Sequence, residues 1–208
     1  MTIEKHPLSS FLIHFHTKTS GEGRASQSRV AWEERFTVPN FMTLWNNHPS
    51  TRGEGPLLDR KSYENQCAIN LSAAMMRSGV DFRGFRGVWS WQKNAARYPI
   101  RAQELADWLA AGRSGLPVRL EKFGGKEAFK HSGGKSGIIG RTGIVFFQNY
   151  WGSGAQGDHI DLWNGNRWTD WWSWSRVHLR IGGFGLHTIF SDISDVQKSQ
   201  SVWFWHLL

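Results

Sequence analysis

The stretch GIVFFQNYWGSGAQGDHIDLW, residues 143–163, consists of two apolar runs of strand length separated by a Gly- and Ser-rich break. Two further runs of the same kind follow, RWTDWWSW at 167–174 and VWFWHLL at 202–208. Short aromatic and β-branched runs bounded by turn residues read as strands. Upstream the period is helical. In KSYENQCAINLSAAMMRSGV, 61–80, Ala68, Leu71 and Met75 recur at helical spacing after Asn65, a good N-cap, and Gly79 supplies a stop. In YPIRAQELADWLAAG, 98–112, Ala102, Leu105, Ala106 and Leu109 share one face and Gly112 ends it. Helices first and strands second is the order of an α+β domain, with N-terminal helices packed on an antiparallel sheet rather than alternating βαβ units.

The remaining segments read as connections. FMTLW, 41–45, resembles a short turn capping the core, and NNHPSTRGEGPLLD, 46–59, is loop by its Pro, Gly and Asn content. FGGKEAFKHSGGKSGIIGRTG, 123–143, lacks the G-x-x-x-x-G-K-[ST] spacing of a phosphate loop and reads as a mobile surface loop. Residues 1–35 have no sustained periodicity and are expected to form a flexible or accessory extension to a domain over 36–208. His14 and His16 in that extension are a weak metal signal without further ligand spacing, so no metal or other cofactor is expected.

The chain has 208 residues, a formal charge of +8 and one cysteine, Cys67. That length suits one domain with decoration. The charge favours an anionic partner, such as nucleic acid, an acidic membrane surface or acidic wall polymer. A single thiol excludes an internal disulfide and a multi-cysteine zinc site. No apolar run approaches the length of a membrane span, and FLIHF near the N-terminus lacks the cleavage pattern of a secretory signal.

Cys67 falls in the first turn of the expected helix, where the helix dipole lowers a thiol pKa. Asn164-Gly165 separates two strand-like runs, the signal of a two-residue type I′ hairpin. That turn pairs Trp163 with Asn166 and sets His159 opposite Asp170, with β-carbons about 4.5–5.5 Å apart. Asp161 shares the face of His159 but stands two residues along, roughly 6.5 Å away by strand rise, so it is the runner-up orienter. A three-residue loop would instead put Trp171 opposite His159 and return interest to Asp161 or Asp158. Read singly, a lone cysteine is most often a small buried hydrophobe and a strand His–Asp pair is most often structural. Together they form a nucleophile, a base and its orienter.

At YENQCAINLSAAMMRSGV, GKSGIIGRTGIVFFQNYW, GDHIDLWNGNRWTD and the closing VWFW, the chain resembles the class four amidase effectors of type VI secretion, within the NlpC-type papain-like cysteine peptidases. The matching pieces run in the family's order across about 41–208. The resemblance implies a bacterial toxin made in the cytoplasm, secreted, and acting in the periplasm of a rival cell. There it cuts peptidoglycan stem peptides between D-glutamate and meso-diaminopimelate, as a DL-endopeptidase. It also implies a cognate immunity protein and type VI delivery components as partners, with no nucleic-acid or membrane partner. By motif, Cys67 looks like the nucleophile, His159 the general base and Asp170 the orienting carboxylate. The oxyanion would be held by the Cys67 backbone N–H and one of Tyr63, Asn65 or Gln66. The region before Cys67 is longer than the family pattern, and a disulfide found in some relatives is absent. The rival readings are a basic, aromatic-rich nucleic-acid-binding domain, a non-catalytic wall-binding module, and an acyl-transfer enzyme using the same three groups.

Overall fold

A computed structural model describes residues 38–93, 95–132, 135–151, 157–165, 167–169 and 196–208. Among the described residues three α-helices precede the main sheet: α1 (Phe41–Asn47), α2 (Cys67–Arg77) and α3 (Ala102–Ala110). The strands are β1 (Arg119–Phe123), β2 (His131–Ser132), β3 (Lys135–Ser136), β4 (Thr142–Trp151), β5 (Gly157–Asn164) and β6 (Ser201–His206). Four form one antiparallel sheet in the order β1-β6-β4-β5, and β2 pairs with β3 separately. The α+β expectation with an antiparallel sheet holds. The extension expected over 1–35 lies outside the described residues.

The helix termini follow local chemistry. FMTLW is part of a helix rather than a turn, because the Asn40 side chain accepts a hydrogen bond from the Thr43 N–H at 2.9 Å. α2 is capped by Gln66 rather than Asn65, with no side-chain cap bond, so Cys67 becomes its first residue. Its far end closes as expected: Gly79 has φ of 87°, and the Val80 N–H reaches back to the Met75 carbonyl at 3.0 Å. α3 buries Ala102, Leu105, Ala106, Trp108 and Leu109, the anticipated face plus one ring.

The sheet separates two apolar clusters by the alternation of its side chains. Ile144 and Phe146 of β4, with Ile160 and Leu162 of β5, pack against Leu44, Leu71, Met75 and Leu105 from the helices. Val145, Phe147, Trp163, Val202 and Phe204 pack on the other face with Ala128 and Ile138. The last two correct the expectation of a surface loop over 123–143: both are fully buried, and the Ile138 carbonyl accepts from Trp163 Nε1 at 2.8 Å. Apolar positions spaced too irregularly to show a period still anchor this segment. β1 carries only two apolar residues, Leu120 and Phe123, too few to show a strand pattern.

The expected two-residue turn does not form. Trp163 bridges Trp168, two positions beyond the anticipated Asn166. A type I′ turn needs positive φ at both central residues; Gly165 has φ of 72°, but Asn164 does not take such a φ. The Asn164 N–H bonds the Arg167 carbonyl instead, while Gly165 exchanges backbone hydrogen bonds with Gly140 and Arg141. Docking against that neighbouring turn widens the connection. The pairing that put Asp170 opposite His159 therefore loses its premise, and Asp170 itself lies outside the described residues, as do Trp171, Trp172 and Trp174.

Two substitutions test this packing by urea unfolding. Asn40→Ala should cost about 1 kcal/mol by removing the cap. Gly143→Ala should cost about 1–3 kcal/mol, because its new Cβ would lie 2.2 Å from the Trp205 carbonyl oxygen. A Gly143→Ala protein as stable as the parent would contradict the packing of β4 against β6.

Candidate active site

α2 begins against β5, the last strand of the sheet order, and this brings Cys67 to His159. The backbone N–H groups of Ile160 and Ala68 favour the ionised sulfur. Burial pushes the Cys67 thiol up, but the hydrogen bond and charge of His159, with those two N–H groups, outweigh it and hold the thiol below its ordinary range. Burial likewise favours neutral His159. Asp161 and Cys67 beside the ring prevail over burial, and the imidazole is pushed up to about 10. Each group thus favours the charged form of the other, the thiolate beside the imidazolium. The pair remains reachable, with Cys67 partly exposed and the His159 side chain 15% accessible.

The His159 ring is walled by aromatics. Phe147 lies nearly parallel to it at 6.5 Å between centroids, and Tyr150 and Trp168 meet it edge-on. A break in register after Phe147, with Asn149 at φ of 51°, turns the end of β4 beside it. Asp158, the other carboxylate weighed from sequence, accepts a hydrogen bond from the Asn149 N–H at 2.9 Å. Its role is to hold that irregular turn.

The carboxylate near His159 is Asp161, whose Oδ2 stands 3.8 Å from His159 Nε2. This is an ion-pair separation, longer than a hydrogen bond, and Nε2 makes no hydrogen bond. The sequence reading ranked Asp161 second from β-carbon spacing along the strand; side chains that lean together close that gap. Asp161 is 3% exposed. Burial raises its pKa, but His159, His48 and Thr169 more than offset this and keep it ionised. Its Oδ1 accepts from the Leu162 N–H at 2.7 Å and from the Thr169 hydroxyl, and lies 3.4 Å from His48 Nε2. Neither His48 nor Thr169 was singled out from sequence. His48 sits in a stretch whose Pro and Gly content marks it only as loop.

Of the three oxyanion candidates, two are engaged elsewhere. The Tyr63 hydroxyl donates to Gln92 Oε1 at 3.1 Å and accepts from the Trp91 N–H at 2.8 Å. Gln66 Nε2 donates to the Leu58 and Tyr63 carbonyls. These bonds shape the loop leading into α2. Asn65 is exposed just ahead of the nucleophile. Among the described residues no three His, Cys, Asp or Glu side chains gather as metal ligands would, and no helix is long and apolar enough to cross a membrane. His14 and His16 lie outside the described residues.

A thiol at a helix start, an imidazole and a buried carboxylate are groups that covalent acyl transfer uses. Known proteins resemble this chain in sequence and in fold. The sequence profile of the family described as "Type VI secretion system (T6SS), amidase effector protein 4" matches residues 63–205. Similar solved structures include the type VI effector–immunity complex Tae4–Tai4 from Enterobacter cloacae, 19% identical with a TM-score of 0.52, covering 83% of this chain and 100% of that one. Tae4 from Enterobacter cloacae alone is 16% identical with a TM-score of 0.52, covering 83% and 98%. Salmonella typhimurium Tae4 bound to Enterobacter cloacae Tai4 is 15% identical with a TM-score of 0.51, covering 82% and 99%. No curated protein matches the chain. These structural likenesses bear on the fold, which is papain-like and NlpC-type. The profile covers well over half of the chain, which therefore belongs to amidase effector family 4 of type VI secretion, a family of enzymes that cleave peptidoglycan.

Proposed function

We propose that the chain hydrolyses the D-glutamyl–meso-diaminopimelate bond of peptidoglycan stem peptides as a cysteine amidase. The observation that carries this reading is the placement of Cys67, first residue of its helix, beside His159 of β5, in a chain whose residues 63–205 match the amidase family. In the proposed reaction the Cys67 thiolate attacks the amide carbonyl. The imidazolium of His159 then protonates the leaving amine, and the neutral ring left behind deprotonates the water that releases the acyl group. The developing oxyanion is held by the Cys67 N–H at the start of α2 and by a second donor, for which Asn65 is the remaining side-chain candidate.

Asp161 is the carboxylate that the described geometry favours as the orienter of His159, whereas the motif resemblance favours Asp170. The two readings give opposite rankings of the same variants. The effector is delivered to target bacteria, and its proposed site of action is their periplasm. A cognate immunity protein is its proposed partner in the producing cell, by analogy with the effector–immunity complexes of similar fold. The +8 charge suits an acidic face on that protein or attraction to anionic wall polymers.

Digestion of sacculi followed by mass analysis of the fragments is the direct test. Cys67→Ala and His159→Ala should release no stem-peptide fragments, and a Cys67→Ala protein that still released them would end the assignment. Asp161→Asn should lower kcat/KM by at least about 10²-fold, and more than Asp170→Asn does. The reverse order would restore Asp170 as the orienter.

The pH dependence follows from the signs of the shifts. Activity should fall on the acid side as Cys67 is protonated, at a pH below the ordinary thiol value, and on the alkaline side as His159 loses its proton near 10. The raised imidazole pKa also stabilises the fold. That contribution is complete below the unfolded value of 6.5 and is lost as pH rises through about 10. The lowered pKa of Cys67 contributes with the opposite sign, so urea midpoints of the parent should stay level until the unfolded thiol titrates and decline only from there to about 10.

A further inference from the structure

We propose that Trp91 is a stacking platform for a saccharide ring of the glycan strand, so that this chain takes glycan-linked stem peptides in preference to released ones. The proposal rests on the reading of the chain as a Cys67 amidase of stem peptides, and it names a part of the wall polymer that the protein engages beyond the scissile peptide.

Among the described side chains Trp91 is the only Phe, Tyr or Trp that is exposed, at 63%. It is nevertheless held in place. Its ring lies 4.4 Å from that of Tyr63 between centroids, tilted by 41°, and Tyr63 is buried against Leu58 and Ile69. The Tyr63 hydroxyl accepts from the Trp91 backbone N–H at 2.8 Å and donates to Gln92 Oε1 at 3.1 Å. The segment that carries Trp91 is closed behind it. Trp89 bridges Pro99, the Ser90 N–H donates to the Tyr98 carbonyl at 2.8 Å, and Arg97 Nε donates to the Ser90 carbonyl at 2.9 Å. An indole fixed to the core through Tyr63 and otherwise open to solvent is a preorganised surface, on which a ligand loses little freedom of the protein's own.

The face of an indole carries the negative lobe of its quadrupole, and the C–H bonds of a pyranose ring present a weakly positive apolar face to it. The family cleaves peptidoglycan, a polymer in which each stem hangs from such a ring through a lactyl group. Two residues, about 7 Å of extended chain, separate the D-glutamyl carbonyl from that group. On the protein, Tyr63 and Cys67 stand four positions apart, at most about 14 Å of extended chain. Gln66 Nε2 donates to the Tyr63 carbonyl at 2.6 Å, which folds that connection and shortens it. The sugar of a stem engaged at Cys67 is therefore within reach of Trp91. Lys61 and Lys93, both exposed, flank the two aromatics in sequence and carry donors for hydroxyl and acetamido oxygens. A peptide released from its sugar gains nothing from this surface.

The test compares kcat and KM of the full-length protein on a disaccharide-linked tetrapeptide and on the same tetrapeptide freed from its sugar. The parent should favour the linked substrate by roughly 10-fold in kcat/KM, the effect of covering part of one aromatic face. Trp91→Ala should lose that preference by raising KM for the linked substrate, with kcat and the released tetrapeptide unchanged. Trp91→Tyr should keep most of it. Independently of cleavage, titration of the nitrogen-15-labelled full-length protein with chitotetraose, a β-1,4-linked saccharide without peptide, should shift the Trp91 resonances. A parent without preference, an equal loss on both substrates in Trp91→Ala, or a preference in Trp91→Ala equal to the parent's overturns the platform. A parent that cuts neither substrate overturns the amidase reading instead. The chitotetraose titration then decides the platform alone, and Trp91 resonances that do not move overturn it.

Discussion

A carboxylate buried to 3% exposure, Asp161, is the constraint around which the candidate site of this molecule is arranged. Withdrawing an ionised group from water costs several kcal/mol unless its lone pairs are met, so each partner of Asp161 must be delivered by a dedicated piece of backbone. The Leu162 N–H comes from its own strand, the Thr169 hydroxyl from the segment after the Trp163–Trp168 bridge, and the His48 ring from the end of α1. His159 comes from two residues back on β5. The docking of α1 and the unexpected width of the turn after β5 thereby acquire a common physical reason. Both bring polar groups to an oxygen that the fold has removed from solvent.

Cys67, the proposed nucleophile, has the complementary surroundings. It stands at the first position of α2, and the N–H groups of Ile160 and Ala68 favour its ionised form. Those donors and the imidazolium stabilise negative charge on sulfur in surroundings that would otherwise suppress it. The three groups therefore favour alternating charge, negative on sulfur, positive on the ring and negative on the carboxylate. The aromatic wall of Phe147, Tyr150 and Trp168 limits water around the ring and strengthens each of these interactions. The tryptophans divide in the same spirit: Trp163 and Trp205 are core, whereas Trp91 is 63% exposed and lies over Tyr63 in the loop ahead of the nucleophile.

Periodicity made α2 and α3 legible, because each buries one continuous face, whereas β4, β5 and β6 were legible as apolar runs in a sheet packed on both faces. It failed where burial is set by partners distant in sequence. β1 is short and mixed, and it becomes a strand only by pairing with the C-terminal β6. Ala128 and Ile138 lie in a Gly- and Lys-rich stretch whose packing depends on Trp163. Cys67 and His159 were readable because a helix start and an alternating strand present them regardless of context. The turn after β5 was misread since Gly140 and Arg141, not the Asn-Gly dipeptide, decide its width. His48 and Thr169 carried no signal at all: what distinguishes them is a shared oxygen on a residue more than a hundred positions from one and eight from the other.

The central claim is that Cys67 and His159 form a thiolate–imidazolium pair at neutral pH. Nitrogen-15 chemical shifts of the His159 ring, followed against pH in the full chain, test it most directly. The account predicts a doubly protonated ring at neutral pH that titrates near 10, and a marked fall in that value once Cys67 is capped by alkylation. A His159 ring already neutral at pH 7, or one whose titration ignores the capping of Cys67, would contradict it.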